Sequence, residues 1–389
     1  MNILFVMDPS PFGGAAVALV LLTKELVSKG HRVTVCTSRT PDLDKKLEHN
    51  GVTVINCRHV PAMITASAYL PKTIVKILVF GGRRMFGSQK KALKIIQNQI
   101  DFSNIDIVHT NSARSDLGCM IARKYHIPHI IHFREFGIED LECIYLKKNY
   151  IKYLNSSADY MIAVSDAARN NWISRGMDEK RIATVYDGID TKMIISRNSD
   201  FSSEQLHLVI TGGITSFKGQ HICIEAIHCL SDIIRPNVTL DIIGWQDPKY
   251  RKRLNAMINS YKLQNQVHFL GKKDSVNDLL CQYDIGLMTS KSEAFGLVTV
   301  EYMAAGLGVI ASCAGANTEL ISDGENGLLF ERDSAEELAD CITKLYNNRN
   351  YLKKLALCGR NTVLNKFTAQ QNADSICHIY NIILKNDSE

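Results

Sequence analysis

The chain has 389 residues, which is long for one hydrophobic core and fits two domains of roughly 150–200 residues each. A hydrophobic share of 46% and a charged share of 22% exclude a largely disordered chain, and a net charge of +5 is too small to define a partner without a location. Eleven cysteines without C-x-x-C spacing argue against zinc ribbons and a secreted disulfide framework, and fit reduced thiols in a cytoplasmic protein.

Met1–Met7 is too short an apolar run for a signal peptide and reads as a buried first strand. Gly13-Gly14 follows, then a helical stretch from Ala15 to Lys29 that Gly30 ends. Arg32–Thr37, Val52–Asn56, Ile105–His109, His129–His132 and Tyr160–Ser165 are further strand candidates. Short, β-branched strands alternating with helices indicate a parallel sheet covered on both faces.

The polar, Ser-rich stretch from Thr191 to Gln205 reads as a linker, after which the alternation restarts. Leu206–Ile210, Thr239–Gly244, Val267–Leu270, Ile285–Thr289 and Gly308–Ala311 predict a second sheet, and an amphipathic helix runs from about Thr368 to Lys385. The expected divisions are 1–200, 206–367 and a terminal helix, 368–389, packing back on the first domain. Ligands of such sheets bind outside the carboxyl ends of the strands, so the chemistry is expected between the domains.

Two segments carry that chemistry. In Lys291-Ser292-Glu293-Ala294-Phe295-Gly296-Leu297-Val298-Thr299-Val300-Glu301 two glutamates stand eight positions apart around a helix start. The backbone N–H groups of Phe295, Gly296 and Leu297 would attract phosphate or sugar oxygens. Glu301, one and a half turns on, could accept hydrogen bonds from the vicinal hydroxyls of a ribose. In Thr211-Gly212-Gly213-Ile214-Thr215-Ser216-Phe217-Lys218-Gly219-Gln220, glycines after a strand allow close backbone approach. Lys218 near the next helix could hold a diphosphate without a metal. The order is not that of a nucleotide-hydrolase P-loop, no G-x-G-x-x-G follows either first strand, and no metal site is evident.

With these elements together, the chain resembles a family 4 retaining glycosyltransferase. The likeness runs over essentially the whole length. It includes Gly13-Gly14, Val164-Ser165, Val185–Asp190, Lys218-Gly219-Gln220, the Glu293/Glu301 pair, Ala304-Ala305-Gly306, Gly315, Glu319 and Asp323–Gly327. The resemblance implies an α/β protein of GT-B architecture, two Rossmann-like parallel-sheet domains facing an interdomain cleft. It also implies sugar transfer from a nucleoside diphosphate of the UDP or GDP type, with no required metal, to a hydroxyl of a glycan or lipid-linked acceptor in bacterial surface polysaccharide or glycolipid synthesis. By the same resemblance Lys218 would bind the diphosphate and Glu301 the ribose. Glu293 and the Phe295–Leu297 backbone would hold the sugar, Gly13, Gly14 and Gly213 would approach the phosphates, and Gly244 and Gly271 would line the base pocket. His132 would face the sugar near the reaction centre. The family often carries an arginine where Gly213 stands, and Arg134 is a candidate replacement. A sugar-nucleotide 2-epimerase and a non-catalytic subunit of the same fold are the alternatives.

From His49 through Ile100 there is no Asp or Glu, while Arg58, Lys72, Lys76, Arg83, Arg84, Lys90, Lys91 and Lys94 stand among apolar residues at roughly helical spacing. That pattern predicts docking on an anionic membrane, peripherally on the inner face of the cell membrane, rather than nucleic-acid binding.

Overall fold

Alternating apolar strands and helices assemble into two units in the computed structural model, which describes residues 1–8, 13–66, 70–137, 143–197, 201–273 and 275–386. One unit comprises Met1–Gly188 with Ala369–Glu389, and the other Ile189–Thr368.

The first unit holds the strands β1 (Asn2–Val6), β2 (Arg32–Thr37), β3 (Thr53–Asn56), β4 (Met63–Thr65), β5 (Ile107–Thr110), β6 (His129–Phe133), β7 (Cys143–Tyr145), β8 (Tyr160–Ala163) and β9 (Ile182–Thr184). Seven of them form a parallel sheet in the order β3-β2-β1-β5-β6-β8-β9, and β4 and β7 pair antiparallel beside it. β1, β5 and β6 are buried almost throughout, as a sheet covered on both faces requires. The helix Gly14–Ser28 and the terminal helix Ala369–Asn386 share one core, in which Ile376 and Tyr380 join Leu19, Leu22 and Leu26.

The second unit holds β10 (Leu206–Thr211), β11 (Val238–Ile243), β12 (Val267–Gly271), β13 (Ile285–Met288), β14 (Gly308–Ser312) and β15 (Leu328–Phe330), all parallel, in the order β12-β11-β10-β13-β14-β15. In each sheet the direction of winding reverses beside the first strand, between β1 and β5 and between β10 and β13. Ligands of open parallel sheets bind at the carboxyl ends of the strands beside such reversals.

The boundary expected at residue 200 lies instead at Gly188/Ile189. The linker is pinned to the second unit. Arg197 donates its backbone N–H to the Ala305 carbonyl at 2.8 Å, and its guanidinium pairs with Asp284 at 2.7 Å.

Candidate active site

The strongest constellation lies at the β10/β13 reversal. The loop after β10 carries Lys218, and the loop after β13 carries Glu293. Two hydrogen bonds clamp the loops together: the Thr289 hydroxyl donates to the Lys218 carbonyl at 2.9 Å, and the Lys291 backbone N–H to the Phe217 carbonyl at 3.0 Å. Gly219 permits this approach, since its φ is 71° and a Cβ there would lie 2.2 Å from the Thr289 carbonyl oxygen. Lys218 Nζ then meets Glu293 Oε1 at 2.5 Å, with both side chains partly open to solvent. Glu293 is fixed from behind as well. Its carbonyl accepts the Ala316 N–H at 2.9 Å, and a side chain at Gly315 would collide with it.

Gly296, at φ 92°, caps the helix Leu297–Ala304, so Phe295 lies before the cap rather than in the helix. Phe295 is buried edge-on against Phe367. The first N–H groups of that helix have no intrahelical acceptor and constitute an anion-favouring end. Glu301, on the same helix, is half-buried, has no hydrogen-bond or ion-pair partner among the described residues, and burial pushes its carboxyl up to about 7. An unpaired carboxyl in such surroundings is costly to the fold and marks a group held for a ligand.

Gly212, Gly244 and Gly271 line up at the carboxyl ends of β10, β11 and β12. The Gly212 N–H donates to the Ile243 carbonyl, and the Gly244 N–H to Gly271 at 3.0 Å. A Cβ at Gly244 would fall 1.7 Å from the Gly212 carbonyl oxygen, so only glycine allows these strand ends to meet. Gly213 adjoins Trp245, whose indole is 60% exposed. No motif singles out Trp245; its one signal is an aromatic residue directly after Gly244.

In the first unit His132 sits at the end of β6, fully buried. His109 Nε2 lies 3.2 Å from His132 Nδ1, and Tyr380 Oη lies 2.7 Å from His109 Nδ1. Arg134 also approaches His132 Nδ1, at 3.4 Å. A guanidinium can only donate, so His132 Nδ1 accepts and Nε2 carries the hydrogen. By the same logic His109 donates through Nε2 and accepts from Tyr380. His132 Nε2 is buried without a partner, a donor aimed at nothing in the protein. No local motif marks His109 or Tyr380, which lie 271 positions apart.

Arg134, the candidate replacement for the arginine missing at Gly213, is engaged within the first unit. Its guanidinium is buried, grips both Asp187 oxygens at 2.5 and 2.6 Å, and donates to Asn111 at 2.9 Å. Asp187, within the Val185–Asp190 segment, thus supplies a counter-ion. Glu135 accepts a hydrogen bond from Ser112 and is buried. Gly13 and Gly14 are exposed at the start of the first helix, beside the β1/β5 reversal.

Burial, with Arg134 nearby, holds the His132 pKa well below the usual histidine value, burial does the same to His109, and burial lowers His129 to about 4. The unfolded chain gains protons as pH falls through about 6.5 while these three folded imidazoles do not. Stability of the first unit is therefore expected to be flat above pH 7 and to fall below 6.5, by up to about 1.4 kcal/mol per pH unit for each histidine. Trp172, buried against Phe133 in this unit, provides the readout in a Trp245→Phe background. A urea midpoint unchanged between pH 7.5 and 5.5 would contradict these neutral imidazoles.

Two successive Rossmann-like parallel-sheet domains, the second with its polar constellation at a strand-order reversal, have the architecture of the GT-B glycosyltransferases. The family described as "Glycosyl transferases group 1" matches residues 192–362, and "Glycosyltransferase Family 4" matches residues 12–193. An uncharacterized glycosyltransferase of Methanocaldococcus jannaschii is 29% identical over 69% of this chain and 73% of its own length. The phosphatidylinositol N-acetylglucosaminyltransferase gpi3 subunit of Schizosaccharomyces pombe is 27% identical over 87% of this chain and 70% of its own. The crystal structure of Anabaena HepE in complex with UDP and glucose superposes with a TM-score of 0.78 at 22% identity, over 97% of this chain and 99% of that one, a likeness of fold. The chain belongs to the family 4 glycosyltransferases.

Proposed function

We propose that this glycosyltransferase moves a sugar, with retention at the anomeric carbon, from a UDP- or GDP-type donor to a hydroxyl of a glycan or lipid-linked acceptor in surface polysaccharide or glycolipid synthesis. The observation that carries the reading is the Lys218–Glu293 pair, locked at the β10/β13 reversal beside the helix start at Gly296. As the sugar C1–O bond breaks, negative charge grows on the departing diphosphate. The Lys218 ammonium and the helix N–H groups stabilise it. The acceptor oxygen bonds to C1 on the face the diphosphate leaves, and its proton passes to the departing phosphate oxygen. Glu301 receives the ribose hydroxyls, Trp245 offers a face to the base, and Glu293 hydrogen-bonds the transferred sugar. The complexes of HepE with UDP and glucose support this class of donor.

The diphosphate is held by these groups without a divalent metal. Nucleotide release from UDP- and GDP-sugars should therefore persist in excess EDTA, and one of the two nucleotides should raise the melting temperature by mass action. Complete loss in EDTA with recovery on adding manganese would reject the metal-free clamp. A melting temperature unmoved by millimolar UDP and GDP would reject the donor site itself.

We also propose peripheral attachment to an anionic membrane through residues 49–100. Among the described residues no helix is long and apolar enough to span a bilayer. The helix Leu70–Met85 nevertheless exposes Ile74, Val75 and Leu78, and Met85 and Phe86 are 88% and 84% exposed. Tyr69, at the edge of this stretch, lies outside the described residues. Each basic residue near an anionic leaflet adds about 1 kcal/mol. Co-sedimentation with anionic vesicles is expected at low salt and should weaken at high salt. Equal binding to neutral vesicles would rule the electrostatic part out.

A further inference from the structure

The first unit contains a cavity of about 600 Å³ that involves none of the donor-site residues. Arg58, Lys76, Arg83 and Arg114 form its charged side, Ile64 and Phe80 its apolar side, and no carboxylate is among its lining residues. Lys76, Phe80 and Arg83 stand at i, i+4 and i+7 of the helix Leu70–Met85, one face of that helix. Of the exposed apolar residues of this helix, Val75 and Val79 flank that face, whereas Ile74 and Leu78 lie on the opposite one.

The wall of the cavity is braced. Arg84 donates to the carbonyls of Val60 and Pro61 at 3.3 and 3.2 Å and pairs with buried Asp116, while Gln89 donates to the Val60 carbonyl at 2.7 Å. Two neighbouring arginines therefore part company: Arg84 is consumed by the fold, whereas Arg83 has no carboxylate partner among the described residues and lines the cavity. Arg58 is likewise unpaired and exposed. Lys76 donates to the Thr65 carbonyl at 3.1 Å, and Arg114 faces Asp8 at 3.5 Å. His59 is held between Ser38 Oγ at 3.1 Å and Ser115 Oγ at 3.3 Å, which adds a fixed polar group to the wall.

We propose that this cavity binds the phosphate or diphosphate of a lipid-linked acceptor, the lipid leaving along the apolar residues of the helix Leu70–Met85. Planar guanidinium groups match phosphate oxygens in pairs, and an apolar wall beside them strengthens the attraction by excluding water. A free inorganic anion would use the arginines but not Phe80, Ile64 or the adjoining exposed apolar residues. The lipid-linked form uses both. This assignment rests on the reading of the protein as a glycosyltransferase with a lipid-linked acceptor, and it gives the region 49–100 a recognition role beyond membrane attachment.

The test is calorimetric titration with farnesyl diphosphate, farnesol and inorganic pyrophosphate, each below its aggregation limit and with UDP saturating so that the donor site is blocked. Farnesyl diphosphate should bind more tightly than either fragment. Arg58→Ser with Arg83→Ser should weaken it about 10- to 100-fold, since each removes a charge-assisted contact. Both side chains are exposed, so the variant's melting temperature and UDP affinity should match the parent. Pyrophosphate binding as tightly as farnesyl diphosphate would show a free-phosphate site and overturn the lipid assignment. No binding of farnesyl diphosphate, or equal binding by the variant, would overturn the site altogether. Failure of the parent protein to bind UDP would strike the donor reading instead, independently of this cavity.

Discussion

Lys218→Ala is expected to slow turnover by about 100- to 1000-fold, the scale for losing one preorganised group that stabilises charge in the transition state. The side chain already stands in place, drawn by Glu293 at 2.5 Å and carried on a loop clamped at Thr289 and Lys291. Its removal also leaves the Glu293 carboxylate unpaired where phosphate charge must enter, which repels the donor. Donor affinity and turnover should therefore both fall, with the larger loss in turnover. A second substitution, Glu293→Ala, should relieve that repulsion, so the double variant should lose less than the sum of the two single losses. Steady-state nucleotide release from the donor, with and without acceptor, measures both quantities. Near-normal turnover by Lys218→Ala would place the diphosphate elsewhere.

Glu301→Gln should have opposite effects on stability and on binding. Burial raises the Glu301 carboxyl to about 7, against an ordinary value near 4.5. The folded protein thus holds a proton between those values that the unfolded chain has lost, and stability contributed by that proton disappears as pH rises from about 4.5 to 7. At pH 8 the ionised, unpartnered carboxylate destabilises the fold, and the glutamine variant should be about 1–3 kcal/mol more stable; at pH 5 the two should be nearly equal. UDP or GDP should bind the variant about 10- to 100-fold more weakly, because ribose hydroxyls lose a charged acceptor. In the parent protein the same affinity should rise with pH through 7. Urea denaturation at the two pH values and nucleotide titrations decide the matter. A variant less stable than the parent at pH 8 would mean that the carboxylate is already satisfied.

Local pattern and tertiary arrangement divide the rest between them. Arg32–Thr37 is a strand with the bounds its β-branched run predicts, and the strands at His129, Leu206 and Val267 differ from expectation by one residue at an end. His129–Phe133 and Leu206–Thr211 are buried almost throughout, as a doubly covered parallel sheet requires, whereas Val267–Gly271, at a sheet edge, is largely open to solvent and was legible from its β-prone residues alone. Ile182–Thr184 and Leu328–Phe330 went unread because three-residue edge strands carry too few side chains to show a period. The short antiparallel pair Met63–Thr65 and Cys143–Tyr145 escaped for the same reason, and its partners are far apart in the chain.

The sequence by itself determined the family and the two parallel sheets, and it singled out the residues of the proposed donor site, because each depends on spacing within one loop or one helix start. Lys218, Gly296 and Glu301 could be named from such short segments. Partnership was decided only by the tertiary structure. Arg134 and Arg84 carry the same charge as Arg83, yet the first is consumed by Asp187, the second by Asp116, and the third faces a cavity. The direction of the His132 hydrogen likewise depends on Arg134, His109 and Tyr380, the last contributed by the final helix. Charge is a property of a residue and is visible in its letter. Whether that charge is spent inside the fold or left for a ligand depends on which distant residue the packing brings within 3 Å, and no local pattern encodes that distance.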